Sequence, residues 1–119
     1  MTNTTSAPVS VVIPAHNAER FIQEAIESVY AQTLAVRELI VVADDCVDGT
    51  ARIAGELGAT VLRIKARNPS VARNVGIRSA TEKWIALLDA DDFWKPNKIE
   101  SQWKAIRAFP EAGIISCDY

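Results

Sequence analysis

Five short apolar runs, rich in β-branched residues, recur along this 119-residue chain with helix-like segments between them. They are VSVVIP (9–14), ELIVVA (38–43), ATVLRI (59–64), WIALL (84–88) and GIISC (113–117). A strand with one wet face alternates apolar and polar side chains. These runs do not alternate, so both of their faces are buried, as in a parallel sheet covered by helices. The intervening segments read as those helices. In NAERFIQEAIESVYAQTL, Asn17 is a candidate N-cap and Glu19 falls in the first turn, while Ile22, Ala25, Ile26 and Val29 have amphipathic spacing. DGTARIAGELG is a short helix ended by Gly58, and NPSVARNVGIRSA has Asn68 as cap with Pro69 at the first helical position. KPNKIESQWKAIRAF carries Ile99, Trp103 and Ile106 on one face. The alternation predicts an α/β fold: a doubly wound, mainly parallel, Rossmann-like sheet with helices on both faces. Residues 1–8 read as a flexible tail and 9–119 as one domain.

Several function classes are disfavoured at the outset. Lysines and arginines number 13 against 15 acids, a formal charge of −2, which does not build a polyanion-binding surface, so no nucleic-acid partner is expected. Cys46 and Cys117 lack metal-ligand spacing and read as reduced thiols. The polar N-terminus lacks the layout of a signal peptide, and no apolar run approaches the roughly 18 residues that span a bilayer. A cytoplasmic protein is expected, free or at the inner face of the membrane.

In a doubly wound sheet, ligands bind beyond the carboxyl ends of the strands, near the point where strand order reverses. The residues there are Pro14 to Asn17 after the first strand, Asp44 and Asp45 after the second, Lys65 to Asn68 after the third and Asp89 to Asp92 after the fourth. Two carboxylates about 4 Å apart repel by roughly 4 kcal/mol at an effective dielectric of 20, so Asp89, Asp91 and Asp92 together call for a cation. Mg²⁺ or Mn²⁺ would suit, since such hard ions take one or two carboxylates and complete their shells with water and substrate phosphate. Helix capping would account for one of the three, Asp92, but not for the whole group. Asp44 and Asp45 could accept from a base imide N–H or from ribose hydroxyls, or could simply open an Asp-rich turn.

SVVIPAHN, ELIVVADDCVDGT, ARNVGI and WIALLDADDFWKPNKI stand in the order and spacing found in family 2 glycosyltransferases, and the chain resembles the nucleotide-sugar-binding half of that GT-A fold. The resemblance implies transfer of a sugar from a nucleoside diphosphate donor, UDP by family habit, to a saccharide, lipid or protein acceptor, with inversion. It implies that Pro14 and His16 line the base pocket, that Asp44 hydrogen-bonds the base, and that Arg73 and Asn74 reach toward the nucleotide. Asp89 would touch the ribose and Asp91 would ligate the metal of the DXD motif. His16 stands where Tyr is more usual, and a gapless match puts Ala43 at the first acidic position of the family's pair and Asp44 at the second.

Breaking the bond between sugar and diphosphate requires stabilising charge on the departing phosphates, which Asp91 through a metal, and Arg73, could supply. The acceptor hydroxyl also needs a base. None is evident, and the family places base and acceptor site downstream, so a truncated fold is expected that binds nucleotide and metal but transfers poorly. The surfaces left uncovered would favour self-association into a homo-oligomer. Among alternatives, a haloacid-dehalogenase-type phosphatase would carry Asp-x-Asp-x-Thr/Val on its first strand, and a receiver-type module would need its acidic pair there. A non-catalytic nucleotide-binding or assembly module fits the same residues.

Overall fold

The computed structural model describes residues 6–108 and 114–115. Its elements follow the expected alternation: β1 (Ser6–Ala15), α1 (Ile22–Tyr30), β2 (Ala35–Asp44), α2 (Thr50–Glu56), β3 (Thr60–Ile64), α3 (Pro69–Ser79), β4 (Trp84–Leu87), α4 (Lys98–Ala108) and β5 (Ile114–Ile115). The strands form one sheet in the order β3-β2-β1-β4-β5, with every pairing parallel.

Alternation along β1 divides the core in two. Val9, Val11 and Ile13 face a cluster with Ile22, Ala25, Ile26 and Val29 of α1, Ala54 of α2 and Ile99 of α4. Val12 faces the other side, with Ile40, Val42, Ile85 and Ala72 of α3. Both faces of the sheet are therefore covered, and each fully buried Val or Ile contributes roughly 1.5–3 kcal/mol of hydrophobic stabilisation. Trp103 and Ile106 pack against the first cluster as the spacing of α4 predicted.

The structure differs from the sequence reading in two places. β1 begins at Ser6 and buries Ala7, so residues 6–8 belong to the sheet and not to the tail. Pairing with Ala35 and Val36 on β2 recruits them despite their weak strand signal. Residues 1–5, Cys117 and the outer residues of the run 113–117 lie outside the described residues. Asn17 does not cap α1, which starts five residues later behind Phe21 and a turn donating Phe21 N–H to Ala18 O. Gly58 ends α2 region with φ +92°, and Asn68 caps α3 by accepting from Ser70 N–H and Val71 N–H, both as expected.

Gly76 sets how closely α3 lies on the sheet. A Cβ at this position would run into Val12 Cγ1 and come within 3.2 Å of Val42 Cγ2, both in buried strands. Gly76→Ala gains about 1 kcal/mol of helix propensity but overpacks that contact, at a typical cost of about 1–3 kcal/mol. The expected outcome is a net loss of stability, read as a lower urea midpoint with an unchanged slope.

Candidate active site at the carboxyl rim

The chain runs outward from β1 to β3 and then crosses back to place β4 on the other side of β1. Strand order therefore reverses between β1 and β4, and a crevice opens there. β1 pairs with β2 as far as Ala15 but with β4 only as far as Val12. Pro14, lacking an N–H to extend a ladder, stands where the two neighbours part.

A cleft of about 580 Å³ lies at this point. Pro14, His16, Asp44, Arg73, Asp89 and Asp91 all line it, although they come from four separate segments. Asn74 is exposed and is not among the lining residues. One residue along α3 is a rotation of about 100°, which separates it from Arg73. Phe21, Arg67 and Asn68 line the cleft as well. Sequence reasoning included Lys65 to Asn68 in the rim without giving them a role, and read Phe21 only as part of a helix.

The loops around the cleft are stitched together. Asn17, at φ +47°, accepts from Val47 N–H at 2.9 Å and donates its own N–H to Cys46 Sγ at 3.3 Å. Glu19 Oε1 accepts from Gly49 N–H at 2.6 Å, and Ala18 N–H donates to Thr50 Oγ1 at 2.8 Å. Asp48 receives Glu19 N–H on Oδ2 and Thr50 N–H on Oδ1. Burial opposes its ionisation, but the hydroxyl and N–H of Thr50 with Glu19 N–H outweigh this and hold the carboxyl below its ordinary range. Cys46 is a free thiol within this stitching.

Asp44 is 3% exposed, and its carboxylate holds the following loop in place. Oδ1 accepts from Ala66 N–H at 2.7 Å and Arg67 N–H at 2.8 Å, and Oδ2 from Asn68 N–H at 2.9 Å. Burial raises its pKa, but the three backbone donors, with the His16 charge, lower it further and leave it below the ordinary aspartate value. Most of the acceptor capacity of Asp44 thus serves the loop that carries Arg67 and Asn68, while the residue still lines the cleft. His16 Nδ1 lies 2.8 Å from Asp44 O. A carbonyl oxygen only accepts, so Nδ1 carries the hydrogen, and the exposed ring is fixed with Nε2 outward.

At the β4 end, Leu88 and Ala90 are buried while Asp89 and Asp91 are exposed. The Asp-Ala-Asp sequence thus anchors its middle residue in the core and presents both acids to the cleft. Asp92 accepts from Phe93 N–H at 2.8 Å and so shapes a turn; α4 begins only at Lys98, and Asp92 does not cap it. Among the described residues there is no group of three or more His, Cys, Asp and Glu side chains able to hold a metal by themselves. Exposed hard oxygen donors in a roomy cleft fit an ion that keeps water and borrows ligands from substrate phosphate. No helix among the described residues is long and apolar enough to cross a membrane.

Comparison with known proteins agrees with this geometry. The model of glycosyl transferase family 2 matches residues 10–117. The Escherichia coli UDP-Glc:alpha-D-GlcNAc-diphosphoundecaprenol beta-1,3-glucosyltransferase WfgD is 38% identical over 98 residues, covering 79% of this chain and 39% of that protein. The chain thus spans about two fifths or less of the length of the curated relatives it matches. The crystal structure of Staphylococcus aureus TarS 1-349 in complex with UDP-GlcNAc superposes with a TM-score of 0.77 at 25% identity, over 84% of this chain and 31% of that one. The Pyrobaculum calidifontis mannosyltransferase PcManGT, in complex with GDP-Man and Mn²⁺, shares the fold with a TM-score of 0.78 at 23% identity, over 85% and 32% of the two chains.

Proposed function

The chain belongs to glycosyl transferase family 2, and from that membership we propose that its cleft binds a nucleoside diphosphate sugar, a UDP-sugar by preference, for transfer to an acceptor hydroxyl with inversion. One observation carries the reading: His16, Asp44, Arg73, Asp89 and Asp91, spread over 76 positions of sequence, line a single cleft at the reversal of strand order. Binding of UDP-GlcNAc by TarS and of GDP-Man with Mn²⁺ by PcManGT supports the same class of ligand here.

Each residue then has a task that its surroundings favour. His16, its ring fixed through Nδ1, offers a flat face to the base. Asp44 shapes the wall beside it. Asp89 would accept from ribose hydroxyls, and Asp91 would hold Mg²⁺ or Mn²⁺. When bound, the cation offsets charge that grows on the phosphates as the sugar departs. Arg73, on the first turns of α3, adds a fixed positive charge on the same side.

Calorimetry of UDP, GDP and dTDP with and without Mn²⁺ tests the proposal. UDP binding that strengthens with Mn²⁺, without turnover on simple acceptors, is the expected result. Failure of all three nucleotides to bind in either condition would remove it.

A further inference from the structure

Asp45 and Arg67 have no task in that scheme, yet both stand beside Asp44 in a backbone conformation that L-residues avoid, with φ of +53° and +50°. An aspartate tolerates this region; an arginine has no local hydrogen bond to offset it. Asp44 holds Arg67 there by accepting its N–H together with those of Ala66 and Asn68. So placed, the Arg67 side chain lines the cleft, with Nε 3.5 Å from Asp45 Oδ2. The guanidinium side chain is 69% exposed, and a solvent-screened pair at this distance is weak and readily exchanged. Along the rim, Arg67 follows β3 and Asp91 follows β4, strands that lie three spacings, or about 14 Å, apart in the sheet. A ligand with its diphosphate at Asp91 that extends along the cleft toward β3 would bring its nucleoside end to Arg67.

We propose that Arg67 is a nucleoside-binding residue and that Asp45 is the counter-ion competing with the ligand for it. The guanidinium only donates, so the groups it takes must accept: carbonyl oxygens of the base or oxygens of the ribose. The Asp44 carboxylate only accepts, so Arg67 supplies a donor for nucleoside oxygens that Asp44 cannot. The inference rests on the nucleotide-binding reading of the cleft.

Calorimetry separates the two. The ligands are UDP with Mn²⁺ and, as a probe without nucleoside, pyrophosphate with Mn²⁺. Arg67→Ala and Arg67→Gly should each weaken UDP about tenfold and leave pyrophosphate unchanged. The glycine variant accepts positive φ without strain, so a loss confined to Arg67→Ala would attribute the effect to the backbone and overturn the proposal. Asp45→Asn should act in the opposite direction, tightening UDP by about threefold, and should do nothing when combined with Arg67→Ala. Weakening by Asp45→Asn, wild-type UDP affinity in both Arg67 variants, or an equal loss for pyrophosphate would each overturn it. If the unsubstituted protein binds none of UDP, GDP and dTDP, the nucleotide reading fails first and this inference goes with it.

Discussion

Asp44→Ala is expected to lower the unfolding free energy by about 1–3 kcal/mol, measured by urea denaturation at pH 7. The alanine removes one carboxylate and leaves three backbone N–H groups, of Ala66, Arg67 and Asn68, without their acceptor. Each costs about 1–3 kcal/mol if it stays buried, and the loop is expected to loosen to let water reach them. Asp44→Asn should fall between, because its amide oxygen can keep the Ala66 and Arg67 bonds while its NH₂ group faces the Asn68 N–H. A loss below about 0.5 kcal/mol for the alanine variant would show that the carboxylate does not hold the loop.

The same carboxyl makes stability depend on acid. Its folded-state pKa lies below the ordinary value, so the unfolded chain binds the proton more readily. The stabilisation is therefore fully present above the unfolded value, about pH 4, and is lost as pH falls through the depressed folded one. Asp48 is shifted in the same direction and adds to the effect. Asp44→Ala should flatten the acid limb of the stability profile while the Asp48 contribution remains.

The second large effect concerns ligand binding and not folding. Asp91→Ala is expected to reduce UDP affinity in Mn²⁺ by tenfold or more, to the value measured without metal, about the loss of one charge-assisted contact. Asp91 is exposed and stands in an acidic group, so thermal stability should stay within about 0.5 kcal/mol of wild type. Asp89→Ala should weaken UDP but keep a response to Mn²⁺. If Asp91→Ala still gains affinity from Mn²⁺ to the wild-type extent, the cation is held elsewhere.

Much of this arrangement is legible in the sequence, for a physical reason. Strands buried on both faces cannot alternate, so VSVVIP, ELIVVA and WIALL announce a parallel sheet. A parallel sheet in turn sends every strand's carboxyl end to one rim, so Asp44 and Asp91 could be placed together while 47 positions apart. Local capping was readable where the donors are local, as with Asn68 and the N–H groups of Ser70 and Val71. It failed at Asn17, whose side chain accepts from Val47, 30 positions away. The commitment of Asp44 to Ala66, Arg67 and Asn68 was hidden for the same reason, since partners 22 to 24 residues on leave no mark on a local pattern. Ser6 and Ala7 join β1 by pairing with β2, which their own propensity does not foretell.

The lacing of the first two loops bears on any attempt to re-engineer this surface. Asn17 serves Val47, Glu19 serves Gly49, Asp48 serves Glu19 and Thr50 serves Ala18, so each loop supplies the other's missing partners. Neither can be grafted from a homologue alone without orphaning groups in its neighbour. Residues 16–19 and 45–50 form one module, to be transplanted as a pair, with length changes admitted in neither.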